Sequence, residues 1–108
     1  MNWEYIAGFF DGEGSISIVN KKYCNWRLSQ GIKQNNVLFQ IQIFLNTQNI
    51  KSHLYIYPTK ANKMTYLHIT NHKNVLKILK NLYPYLIVKK EKANIIIKFI
   101  ENKKWRFD

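Results

Sequence analysis

A chain of 108 residues with 17 Lys and Arg against six Asp and Glu carries a formal net charge of +11. Its 46% hydrophobic and 15% aromatic content is enough to fill a core, which excludes a disordered polybasic tail. No apolar run approaches the roughly 18 residues of a membrane span, no basic-then-apolar leader opens the chain, and Cys24 is alone, so a soluble intracellular protein without a disulfide is expected. The charge calls for a polyanion, with nucleic acid ahead of an acidic membrane surface.

The elements read in chain order as follows. From Trp3 to Asp11, apolar Trp3, Ile6, Ala7 and Phe10 recur at helical spacing. Asn2 suits the N-cap, Glu4 the positive helix end, and Gly12 and Gly14 the C-terminal end. Ser15 to Val19 alternates polar and apolar, and Trp26 to Ser29 does so again, with a turn between them. Asn35 to Asn46 puts Val37, Leu38, Ile41, Phe44 and Leu45 on one helical face. Ser52 to Tyr57 and Met64 to Thr70 form a second hairpin, broken at Pro58, Ala61 and Asn62. Asn71 or Asn74 caps a helix with Val75, Leu76, Leu79 and Leu82 inward, which Pro84 stops. Glu91 to Asn102 is the last helix, with Ala93, Ile96, Ile97 and Ile100 inward. Hairpins interleaved with helices predict an α+β fold in one domain over residues 1–108. Its antiparallel sheet of four strands would be covered by helices on one side.

Alternation then sorts the strands into two faces. Ile16, Ile18, Cys24, Trp26, Leu28, Leu54, Ile56, Leu67 and Ile69 form the apolar set for the helices to cover. The opposite face would carry Ser15, Ser17, Val19, Lys21, Asn25, Arg27, Ser29, His53, Tyr55, Tyr57, Tyr66, His68 and Thr70. A solvated face is the plainer reading of such a set. The net charge favours DNA instead, as do Lys21, Lys22, Lys60 and Lys63 in the hairpin turns. A two-stranded ribbon fits the major groove, roughly 12 Å wide, and turn lysines suit phosphates.

The stretch Ile6-Ala7-Gly8-Phe9-Phe10-Asp11-Gly12-Glu13-Gly14 holds two of the six acids, one residue apart, among small residues. Neighbouring carboxylates repel, so such a pair calls for a cation. Gly8 and Gly12 are four apart and share a helical face with Ala7 beside them, which would let two backbones approach closely. This stretch, continued by Gly14-Ser15-Ile16-Ser17-Ile18, resembles the motif of the LAGLIDADG homing endonucleases, and the order of elements is similar over nearly the whole chain. The resemblance implies an α-β-β-α-β-β-α fold with DNA on the open sheet face. One motif copy implies a homodimer joined through Ala7, Gly8, Asp11 and Gly12. The activity implied is sequence-specific double-strand DNA cleavage with Mg2+, with Mn2+ or Ca2+ able to substitute in binding. The target would be long and pseudo-palindromic.

Residue by residue, the resemblance sets Glu13 at the metal-binding acid of the motif and Asp11 at its earlier acid. Asp11 would cap or brace helix ends. Glu13 departs from the Asp of the namesake motif by one methylene. Gln30 resembles a residue that orients water at the scissile phosphate, and Lys33 or Gln34 falls near a further polar position. Lys89 resembles the active-site lysine before the last helix, with Lys90 and Lys92 as rivals. His53, His68 and His72 lack zinc spacing with Cys24. A non-cleaving relative is the alternative, either an intron maturase that binds RNA or a DNA-binding regulator with the same fold.

Overall fold

The computed structural model describes residues 1–20, 23–31, 36–58 and 63–102. The order is α1 (Trp3–Glu13), β1 (Gly14–Val19), β2 (Tyr23–Gly31), α2 (Asn36–Thr47), β3 (His53–Pro58), β4 (Lys63–Ile69), α3 (His72–Leu82), a 3-10 turn (Tyr83–Tyr85) and α4 (Lys90–Asn102). The strands form one antiparallel sheet in the order β1-β2-β4-β3.

Local chemistry accounts for the helix ends. Asn2 Oδ1 accepts the Tyr5 N–H at 2.8 Å, and Asn71 Oδ1 accepts the Asn74 N–H at 3.2 Å, each satisfying a donor that the helix leaves free. After α2 the Ile50 N–H returns to the Leu45 carbonyl at 2.9 Å, with Asn49 in the left-handed region at φ 59°. Asn tolerates that conformation where most residues do not. Pro84 ends the helical run in a 3-10 turn.

Register sets the two sheet faces. Rows Ile16–Trp26–Ile69 and Gly14–Leu28–Leu67–Leu54 point to the helices. Trp26, Leu28, Leu67 and Ile69 have no exposed surface, and they meet Ile6, Ala7, Phe10, Leu38, Ile41, Leu45, Val75, Ile78 and Leu79 in one cluster. Phe10 stacks on Trp26 with ring centroids 5.3 Å apart, so α1 lies on the middle of the sheet. Burying one such aromatic side chain contributes on the order of 2–3 kcal/mol, and this contact seats α1 firmly.

Gly14 is needed for space, not for a left-handed cap, because no glycine has positive φ. A Cβ there would overlap the Phe10 ring and come within 2.8 Å of the Phe10 carbonyl oxygen. The glycine that ends α1 therefore lets the helix turn directly into β1. Among the described residues no helix is long and apolar enough to cross a membrane.

Candidate functional site

The open face of the sheet is polar and aromatic, as alternation predicts. Row by row it carries Ser15–Arg27–His68–His53, Ser17–Asn25 and Ser29–Tyr66–Tyr55. Ser15, Ser17, Val19, Arg27, His53, Tyr55, Tyr57 and Thr70 are exposed; Asn25, Ser29, Tyr66 and His68 are half-buried by their neighbours. The Arg27 guanidinium lies 4.8 Å from the Tyr66 ring centroid, and Tyr66 meets Tyr55 at 5.6 Å and Tyr57 at 6.3 Å. His68 Nε2 donates to Asn25 Oδ1. Burial lowers the His68 pKa, with the Arg27 charge and His53 adding to it, so the ring is largely neutral at neutral pH. Two further members escape the sequence reading. Tyr23 pairs with Val19 and is exposed, and Met64 pairs with Tyr57. Extending β2 back by three residues would have revealed Tyr23. Lys63 is exposed at the start of β4, whereas Lys21, Lys22, Lys33, Gln34 and Lys60 lie outside the described residues.

Gln30 does not belong to that face. It continues the Cys24, Trp26, Leu28 set and pairs with Thr65 on the helix side. It stands two residues beyond Leu28, the partner of Gly14, at the end of the sheet where α1 hands over to β1.

The outward side of α1 is formed by Tyr5, Gly8 and Gly12. Both glycines are exposed, and a Cβ on either would meet nothing within 4 Å among the described residues. Their small size is therefore not required by packing against the described residues of this chain. Ala7, expected beside them, instead points into the core with no exposed surface. One residue of helix advances about 100°, which is enough to move it from the glycine face to the buried one.

Glu13 ends α1 with an exposed side chain that has no hydrogen-bond or ion-pair partner among the described residues. Asp11, two residues earlier, is fully engaged. Its Oδ2 accepts the Ile87 N–H at 2.7 Å and its Oδ1 accepts the Lys89 N–H at 2.9 Å. Lys89 Nζ donates in return to the Asp11 backbone carbonyl at 2.7 Å and lies 5.7 Å from the Phe10 ring centroid. Partial burial would raise the Asp11 pKa. The backbone donors of Lys89, Ile87 and Val88, together with the Lys89 charge, outweigh it and hold the carboxyl below its ordinary value. Asp11 thus braces its own chain, with a backbone N–H on each carboxylate oxygen. Lys90 turns elsewhere, 5.0 Å from the Tyr83 ring centroid, and of the lysines before the last helix it is Lys89 whose ammonium contacts the end of α1.

Among the described residues no three metal-capable side chains converge. The Glu13 carboxylate, an oxygen donor with no partner among the described residues, fits a hard cation that keeps most of its waters and takes other ligands from phosphate. Mg2+ binds in this way, and zinc does not.

Residues 2–83 match the LAGLIDADG-like domain family. The chain belongs to that family. Solved structures agree on the fold. I-CvuI, in complex with its target in the presence of 2 mM Ca, superposes with a TM-score of 0.72 at 19% identity over 92% of this chain and 65% of its own. I-SmaMI bound to uncleavable DNA gives a TM-score of 0.73 at 16% identity, over 93% of this chain and 36% of its own. For I-GzeII in complex with its DNA target the values are 0.71 and 22%, over 94% and 35%. This LAGLIDADG-like chain therefore spans about two thirds of I-CvuI and about a third of the other two. Among curated proteins none matches it.

Proposed function

We propose that two copies of this chain form a site-specific, divalent-metal-dependent DNA endonuclease that acts inside a cell, where DNA is found. The observation that carries the reading is the outward side of α1, where open glycines lead to an unpartnered carboxylate. Glycines at 8 and 12 cost helix stability, roughly 1 kcal/mol each relative to Ala, and among the described residues nothing fills the space a Cβ would take. A second α1 packed against them explains both.

Pairing through Gly8 and Gly12 would bring two Glu13 side chains together at helix C-termini. Each terminus carries about half a negative charge, so the arrangement is unfavourable without cations. Glu13 would hold Mg2+, which when bound supplies a Lewis acid for the scissile phosphate and an activated water. Mn2+ or Ca2+ would substitute in binding; the complex of I-CvuI with its target in the presence of 2 mM Ca supports divalent-metal use. Gln30, at the adjoining end of the sheet, would orient water near the phosphate. Lys89 would stabilise developing phosphate charge with its ammonium group. The face built on Arg27, Asn25, Tyr55, Tyr66 and His68 would read base edges across the major groove, as the DNA complexes of the three nucleases support.

The test is cleavage of DNA that spans candidate insertion sites, with Mg2+ present. The wild type should cut both strands at one site, and Glu13→Gln should bind that site while cutting about a hundredfold or more slowly. A dimeric, folded wild type that cuts no candidate would overturn the proposal.

A further inference from the structure

The segment before α4 is held in an unusual way. Ile87 is 85% exposed and Val88 is 75% exposed, so apolar burial does not fix them. Leu86 and Ala93 are buried on either side, and between those anchors the position of the backbone depends on the Asp11 carboxylate. The exchange is reciprocal. Asp11 takes the Ile87 and Lys89 N–H groups just ahead of α4, and the Lys89 C=O accepts the first bond of that helix, from Ala93, at 2.9 Å. A carboxylate here sits at the positive end of α4. The Lys89 ammonium in turn sits on a carbonyl in the last turn of α1, at that helix's negative end, against the Phe10 ring.

A free lysine side chain samples many rotamers and loses that freedom when fixed. Fixing its backbone and its terminal nitrogen beforehand removes much of that loss from the reaction itself. We propose that Asp11 is a positioning residue: through two backbone hydrogen bonds it sets the Ile87–Lys89 segment so that the Lys89 ammonium is delivered beside the end of α1, two residues from Glu13. The assignment rests on the nuclease reading for its consequence, but the clasp itself does not depend on it.

The experiment compares Asp11→Asn, Asp11→Glu, Lys89→Ala and the double variant Asp11→Asn/Lys89→Ala in the full chain. Single-turnover cleavage with Mg2+ is measured alongside DNA affinity with Ca2+. Misplacing a catalytic group by about 1 Å costs roughly a hundredfold, so Asp11→Asn should slow cleavage by about tenfold to a hundredfold at unchanged affinity. The double variant should be no slower than Lys89→Ala alone. Asp11→Glu keeps the charge and lengthens the arm, so it should also slow cleavage; it stands in for Asp11→Asn if that variant does not fold. Losses that multiply in the double variant, or Asp11→Glu cutting at the wild-type rate, would overturn the proposal. Amide hydrogen exchange gives a readout without cleavage. The Ile87 and Lys89 amides should be protected in the wild type and exchange about tenfold or more faster in the Asp11 variants. Equal exchange in both would overturn the clasp, whereas protected amides in a chain that cuts nothing would count only against the nuclease reading.

Discussion

Arg27 rests its guanidinium on the Tyr66 ring, 4.8 Å from the centroid, in the middle of the polar sheet face. The ring supports the guanidinium, and Tyr55 and Tyr57 pack against Tyr66 in turn, with centroids 5.6 and 6.3 Å away. The planar fork of an Arg presents two donors together, which suits a guanine edge.

Replacing Arg27 by Lys keeps the charge and loses the fork. Discrimination at one base-pair position should fall by about 1–3 kcal/mol, read from affinities for a panel of single-base variants of the target. Lys63→Ala, at an exposed strand end, should weaken all of the panel alike. Uniform weakening by Arg27→Lys would mean that this face does not read bases.

The glycines on α1 make opposite predictions for one chain and for two. A Cβ at Gly8 meets nothing within 4 Å among the described residues, and Leu has better helix propensity than Gly, so the isolated chain should gain roughly 0.5–1 kcal/mol in chemical denaturation of Gly8→Leu at low concentration. Self-association in sedimentation should be lost, and with it any rise of Tm with protein concentration. A Gly8→Leu protein that still associates like the wild type would remove α1 from the interface.

Gly14 behaves differently, because its neighbour is rigid. Ala at this position drives a methyl into the Phe10 ring, which is itself held against Trp26. A loss of about 1–3 kcal/mol in unfolding free energy is expected, part of it recovered when Phe10 is trimmed to Leu in the same chain. An unchanged midpoint for Gly14→Ala would show that the contact has slack.

His68 gives the fold a pH dependence whose sign follows from its surroundings. Burial, Arg27 and His53 depress its pKa when folded, while the unfolded chain titrates near the ordinary value of about 6.5. Above that value both states are neutral and stability is complete. As pH falls through it, the unfolded state takes up the proton first, and stability declines until the folded ring also titrates. His68→Gln should remove this part of the decline in denaturation measured between about pH 7 and pH 5. The same slope in the variant and the wild type would assign it to other groups.

Most of the architecture was legible because period and punctuation agreed at most elements, although β2 begins three residues before Trp26 and Ile56, read as covered by helices, is exposed. Asn2 and Asn71 marked helix starts, and strict alternation sorted Arg27 from Trp26. The same alternation, carried one step past Leu28, already sets Gln30 on the helix side; position relative to α2 alone hides that. Ala7 was misjudged because it neighbours the glycines in sequence while lying about 100° around the helix from Gly8. The role of Gly14 depends on a ring four residues earlier, and rotamers are not written in spacing. What holds Asp11 was out of reach for a different reason. Its partners are backbone N–H groups 76 and 78 positions away, and every residue but proline carries one.

That separation has a consequence for how the molecule is made. Closing a loop of 78 residues costs about 4 kcal/mol in chain entropy, which is as much as two hydrogen bonds to a carboxylate return. The clasp gains most once the sheet and helices have brought its ends together. During synthesis, α1 and all four strands are complete before residue 89 exists, so the lysine reaches the end of α1 as one of the last events. A chain interrupted before that point would keep the motif and the DNA-reading strands but lack the lysine.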